Sequence, residues 1–126
     1  MSQLSQFSGL EEALETDLDG MHACNVSKLG SLFDDGAHLQ SLNTSGGVSV
    51  EAKSDWLKRV AERVSPASRG EPRNEQIESL VLVSPSMAHA TLQVQMGPIR
   101  FQDVLVFLRS NEKWSVVSKT FRIMDA

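Results

Sequence analysis

Leu10, Leu14, Leu18 and Met21 recur at helical intervals and fall on one stripe, which predicts an amphipathic helix with that stripe facing a core. Ser8 followed by Glu11 has capping-box spacing and marks the expected start. The pattern breaks over residues 23–25, where Asn25 is placed to cap a short second helix containing Val26, Leu29 and Leu32. Asp34-Asp35-Gly36 is expected to end that helix in a turn. A strand over 37–42 and another over 48–52 are joined by Asn43-Thr44-Ser45-Gly46-Gly47, the composition of a hairpin loop. Ser54 is then expected to cap a third helix, with Trp56, Leu57, Val60 and Val64 inward and Pro66 as its stop.

The rest reads as sheet. Residues 77–83 are apolar and β-branched, and residues 87–96 alternate, with Ala88, Ala90, Leu92, Val94 and Met96 on one face and His89, Thr91, Gln93 and Gln95 on the other. Gly97-Pro98 and Ser110-Asn111-Glu112 turn the chain between two further strands over 99–109 and 114–123. The order αα-ββ-α-ββββ places three helices on one side of a largely antiparallel sheet, the α+β class. The polar stretch 65–75 reads as a loop or lid, since too little chain lies on either side for two cores. One domain over 1–126 is expected, with 1–7 as a flexible tail.

Composition narrows the function classes. A chain of 126 residues with 40% hydrophobic and 22% charged residues has the make-up of an ordinary soluble domain, and no apolar run approaches membrane-spanning length. The polar first residues carry neither a secretory nor a lipidation signal, so a cytoplasmic location is expected. A net charge of −4 with scattered Lys and Arg offers no footprint for nucleic acid. The single cysteine, Cys24, excludes an internal disulfide and a Cys-rich metal centre; with no motif to supply a base, it reads as a small buried filler. Neither a His-x-x-x-His spacing nor a nucleophile elbow, phosphate loop or dinucleotide fingerprint occurs, so no metal and no cofactor is expected.

The candidate chemistry lies in the last two strands. Asp103 shares strand parity with Phe101, Leu105 and Phe107, and Lys119 shares it with Val117, Phe121 and Ile123. A charge on a core-facing strand is costly unless paired, and one cross-strand register makes the two opposite or diagonal neighbours. Such a pair either braces a cavity wall or dimer contact, or holds a ligand, and a desolvated Asp103 can act as a general base. His22, one residue past the helical stripe, and His38, between Ala37 and Leu39, are further candidates for acid or base. Trp56 and Trp114 read as packing residues, Trp56 also as a pocket wall.

The stretch Trp56-Leu57-Lys58-Arg59-Val60, the loop Ser65-Pro66-Ala67-Ser68-Arg69-Gly70-Glu71-Pro72-Arg73, the strand Phe101-Gln102-Asp103 and the ending Trp114-Ser115-Val116-Val117-Ser118-Lys119-Thr120-Phe121 resemble the putative lumazine-binding family of the nuclear transport factor 2-like superfamily. The resemblance covers residues 10–123 and implies a cystatin-like cone, a homodimer through the outer sheet face, and an internal pocket. His22, His38, Trp56, Phe101, Asp103, Leu105, Lys119 and Phe121 are its expected lining. The superfamily holds ketosteroid isomerase, polyketide cyclases and transport factors, so the fold alone does not choose a chemistry. Tyrosine is absent from the chain, which removes the tyrosine oxyanion donor of the isomerase pattern. Three functions follow: binding of a small apolar or aromatic molecule, a cofactor-independent isomerase, cyclase or dehydratase using Asp103 or His38, and a protein-interaction or assembly module.

Overall fold

The computed structural model describes residues 3–124, with side chains from Gly9 onward. The first helix, α1, runs over Gln3–Ala23. Nothing in Gln3, Leu4, Ser5, Gln6 and Phe7 breaks a helix, so α1 starts five residues before Ser8, which lies inside it rather than at its cap. Of the expected tail, residues 1–2 lie outside the described residues and 3–7 belong to α1. The helix closes in a Schellman arrangement: Cys24 adopts φ 49°, Asn25 N–H donates to Gly20 O at 2.9 Å, and Cys24 N–H donates to Met21 O at 3.3 Å.

Asn25 serves both helices, since its Oδ1 also accepts from Lys28 N at 3.1 Å at the start of α2, Val26–Leu32. The sharp corner brings the helices together at Gly20, where an added Cβ would lie 2.8 Å from both Cγ and Cδ2 of Leu29, itself fully buried. Gly20→Ala should therefore lower stability by about 1–2 kcal/mol, overpacking outweighing the gain of about 1 kcal/mol in helix propensity. A urea midpoint at or above wild type would show that the corner has slack.

The expected turn at Asp34-Asp35-Gly36 is instead part of β1, Phe33–Leu42. Gly36 N–H bonds Asp34 Oδ2 at 2.9 Å, and the pairing of β1 shifts register between Phe33 and His38, so the turn-forming residues produce an irregularity within the strand. Strand β2, Val48–Ala52, returns antiparallel to it. Helix α3, Lys53–Glu62, starts one residue before Ser54 and has no side-chain cap, so Ser54 is its second residue. The helix ends before Val64, which is exposed. Lys53 Nζ donates to Gly30 O and Phe33 O at 2.8 Å and to Asp35 Oδ1 at 3.0 Å, fastening the end of α2 to the start of α3.

After a short 3₁₀ turn at Ala67–Arg69, strands β3 (Glu75–Ser84), β4 (Met87–Met96), β5 (Ile99–Ser110) and β6 (Lys113–Ile123) complete a six-stranded sheet of order β2-β1-β6-β5-β4-β3. All neighbours are antiparallel except β1 and β6. The sheet curves over the helices as a cone, in the expected element order. In β6, Val106 pairs with Ser118 and Phe107 with Val116, so Val117 is an extra residue in a bulge. The buried positions of β6 consequently run Trp114, Val116 and then Lys119; Val117 does not share the inner face with Lys119, as strict alternation predicted. The core lies between this face and the helices, around Leu10, Leu14, Trp56, Leu92 and Phe107. No helix among the described residues is long and apolar enough to cross a membrane.

Candidate functional site

The bulge turns Lys119 inward opposite Leu105, while Asp103 pairs with Phe121 one step along, making the two charged residues diagonal neighbours. Lys119 Nζ lies 3.4 Å from Asp103 Oδ2, 3.6 Å from Met21 Sδ and 5.0 Å from the centroid of the Trp56 ring. Both residues are almost wholly buried, Asp103 at 1% and Lys119 at 3% exposure. The sequence expectation of a cross-strand pair is met.

A third charge joins them from α1. Asp17 is fully buried, and neither its two oxygens nor those of Asp103 make a hydrogen bond among the described residues. Loss of solvation pushes the Asp17 carboxyl up to about 6; Lys119 pulls it down, and Asp103 and Glu75 push it further up. Two carboxylates thus face one ammonium in the interior. Asp17 follows Leu10 by seven residues and Leu14 by three, and precedes Met21 by four, so helical spacing places it in the apolar stripe. A polar residue at a core position was the signal available for it.

The pair borders a narrow chamber of about 20 Å³ walled by Met21, Leu39, Trp56, Arg59, Arg63, Phe101, Asp103, Lys119 and Phe121. That is room for a single water. Beside it a more open groove of about 300 Å³ is lined by Val64, Pro66, Arg69, Met96, Gly97, Pro98 and Ile99, and Arg63 and Phe101 belong to both walls. Of the expected lining, Trp56, Phe101, Asp103, Lys119 and Phe121 come together here. Leu105 is fully buried in the core, and His22, half-buried at the end of α1, does not line the chamber. His38 is corrected: Ala37 and Leu39 take the inner face of β1, and alternation sends His38 to the outer face, where it is exposed. Met21, Leu39, Arg59 and Arg63 were not anticipated. Cys24 is half-buried rather than buried, and His89 is half-buried on the polar face of β4.

Because Asp17 also interacts electrostatically with Lys119, truncating Asp103 does not leave the cation without a counter-charge. Asp103→Ala is expected to cost about 2–3 kcal/mol, below the full penalty of an orphaned buried charge. An unfolding midpoint equal to wild type would show that the Asp103–Lys119 contact carries no stability.

Residues 5–122 match the model of the family described as "Putative lumazine-binding". No curated protein matches the chain. Among solved structures, it is similar to an NTF2-like protein of unknown function from Shewanella baltica OS155, with a TM-score of 0.87 at 16% identity over 100% of this chain and 99% of that one. An NTF2-like protein of unknown function from Silicibacter pomeroyi DSS-3 gives 0.80 at 18% identity over 98% and 100% of the two chains. A ketosteroid isomerase-like protein from Erwinia carotovora atroseptica SCRI1043 gives 0.71 at 13% identity over 94% and 96%. At these identities the structural likeness establishes the fold, while the family match spans nearly the whole sequence. The chain belongs to the Putative lumazine-binding family and has the NTF2-like fold.

Proposed function

We propose that this protein is a cytoplasmic homodimer that binds a small apolar or aromatic molecule at the mouth of its cone. One observation carries the reading: two carboxylates and an ammonium lie in the apolar interior, and four carboxylate oxygens have no hydrogen-bond partner among the described residues. A purely structural network would be expected to satisfy those oxygens, and unsatisfied buried charge lowers stability. Asp103 presents such oxygens at the chamber wall, where a ligand hydroxyl or amine would supply the missing donor. Trp56, Phe101 and Phe121 supply the aromatic walls.

The homodimer is supported by the outer sheet face, where Leu42, Val48, Val104 and Leu108 are exposed and an apolar depression of about 330 Å³ opens between β2, β1, β6 and β5. Native mass spectrometry of freshly purified protein tests both parts. A dimer carrying a small-molecule adduct is expected; a bare monomer at every concentration would sink the reading.

Acid–base chemistry is a second reading, favoured by Asp103, a buried carboxylate at the chamber wall that is paired with Lys119 and whose oxygens accept no hydrogen bond among the described residues. It would make the protein a cofactor-independent isomerase, cyclase or dehydratase in which Asp103 is the base. On that reading Asp103→Asn retains ligand binding and loses turnover.

A further inference from the structure

The two arginines of the chamber wall are in different electrostatic situations. Arg59 is neutralised by Glu51: its Nε donates to Oε2 at 2.7 Å and a terminal nitrogen donates to Oε1 at 2.5 Å. Arg63 is half-buried and lies close enough to Arg59 to be repelled by it; Glu51 attracts it from a distance, but its side chain makes no hydrogen bond or ion pair among the described residues. Burial first, and the Arg59 charge second, hold its guanidinium below its ordinary value. A desolvated guanidinium with five donors and no acceptor is an unmet requirement for an anion.

Its position indicates which anion. Arg63 stands where the chamber meets the 300 Å³ groove, and Arg69 lies on the same groove wall, its side chain also without a partner among the described residues. Between and around them the groove is apolar: Val64, Pro66, Met96, Pro98, Ile99 and Phe101. Deeper in, Asp103 and Lys119 are on the chamber wall and Asp17, behind that wall, interacts with both, so two carboxyls oppose one ammonium there while the mouth holds Arg63 and Arg69.

We infer that the ligand is a small organic anion, an apolar or aromatic body bearing a carboxylate that Arg63 receives at the mouth, with Arg69 adding positive charge and a hydroxyl or amine at the far end of the body directed toward Asp103. The inference rests on the reading of the cone as a ligand pocket and specifies the ligand's class and direction. It also accounts for the small inner chamber, since most of the ligand lies in the groove and only its tip enters the cone.

The test compares 2-naphthoate with its neutral amide, 2-naphthamide, by titration of ¹⁵N-labelled protein followed by NMR. Naphthoate should bind saturably, with shifts concentrated around Arg63, Ile99 and Phe101, and at least about 10-fold more tightly than the amide, the usual minimum for a charge-assisted contact. Arg63→Gln should reduce naphthoate to the affinity of the amide and leave the amide unchanged. The unpartnered side chain gives no reason for this variant to misfold, and its unfolding midpoint checks that. Arg69→Gln, on the exposed side of the groove, should weaken naphthoate several-fold and serves as the second variant. Equal affinities for the two probes, or a preference that survives Arg63→Gln, would overturn the anion assignment while leaving the pocket reading intact. Binding of neither probe would overturn both.

Discussion

Lys119→Met is expected to lower stability at pH 7 by about 3–5 kcal/mol, the cost of leaving buried charge without its partner. Methionine matches the lysine stem in length and packs against Met21 and Trp56, so lost volume is a minor part of the effect. What changes is the interior charge, because Asp17 and Asp103 lose the ammonium between them and have no hydrogen-bond donor among the described residues. Protonation relieves that repulsion. The deficit should therefore be largest at neutral pH and shrink as the pH falls toward 4, which urea midpoints at several pH values would resolve. Removing both ends of the contact gives the contrasting result: Asp103→Leu combined with Lys119→Met should recover much of the loss, since replacing a buried ion pair by apolar side chains is commonly close to neutral. A Lys119→Met deficit that is small and independent of pH would refute the three-charge arrangement.

Asp17→Asn acts in the opposite direction. The folded protein holds the Asp17 carboxyl at about 6 against an ordinary value of 3.8, so over that interval the native state binds more protons than the unfolded chain. Stability from this group is complete below pH 4 and is lost as the pH rises through 6, and the interval corresponds to about 3 kcal/mol. An asparagine carries no charge at any pH and escapes the loss, while Lys119 keeps Asp103 as its counter-charge. The variant should exceed wild type by about 2–3 kcal/mol at pH 7 and match it near pH 4. Parallel stability curves over pH 4–7 would show that Asp17 does not titrate in this window.

Much of this architecture was readable where local chemistry and periodicity agreed. Asn25 announced a helix start and caps one; the alternation of β4 was clear because one of its faces is buried and the other is not. The Asp103–Lys119 contact was accessible because Asp103 is in phase with Phe101, Leu105 and Phe107 and Lys119 with Phe121, although the bulge puts Lys119 out of phase with Trp114 and Val116. Other features fell outside pattern reasoning. Asp34-Asp35-Gly36 has turn chemistry, yet pairing of the flanking Phe33 and His38 with β6 carries the strand through it, a tertiary influence that no local window contains. Asp17 was passed over because a carboxylate in an apolar stripe reads as a gap in the pattern rather than a member of it. Arg63 follows the last residue of α3, where helical spacing no longer predicts direction, and its role depends on groove residues from distant parts of the chain. His38 was decidable in principle, because Ala37 and Leu39 on either side already claimed the inner face.

The extra residue at Val117 uncouples sequence counting from spatial orientation along β6. Counted in twos from Trp114, the inward positions would be Val116, Ser118 and Thr120, which would send Lys119 out to solvent. A relative that lacks the insertion would carry its equivalent cation two places after the counterpart of Val116, where this chain has Ser118. At identities of 16–18%, the counterpart of Lys119 in such a structure is therefore found by superposing backbones, since a gap-free alignment of this strand would set it against the half-buried Ser118.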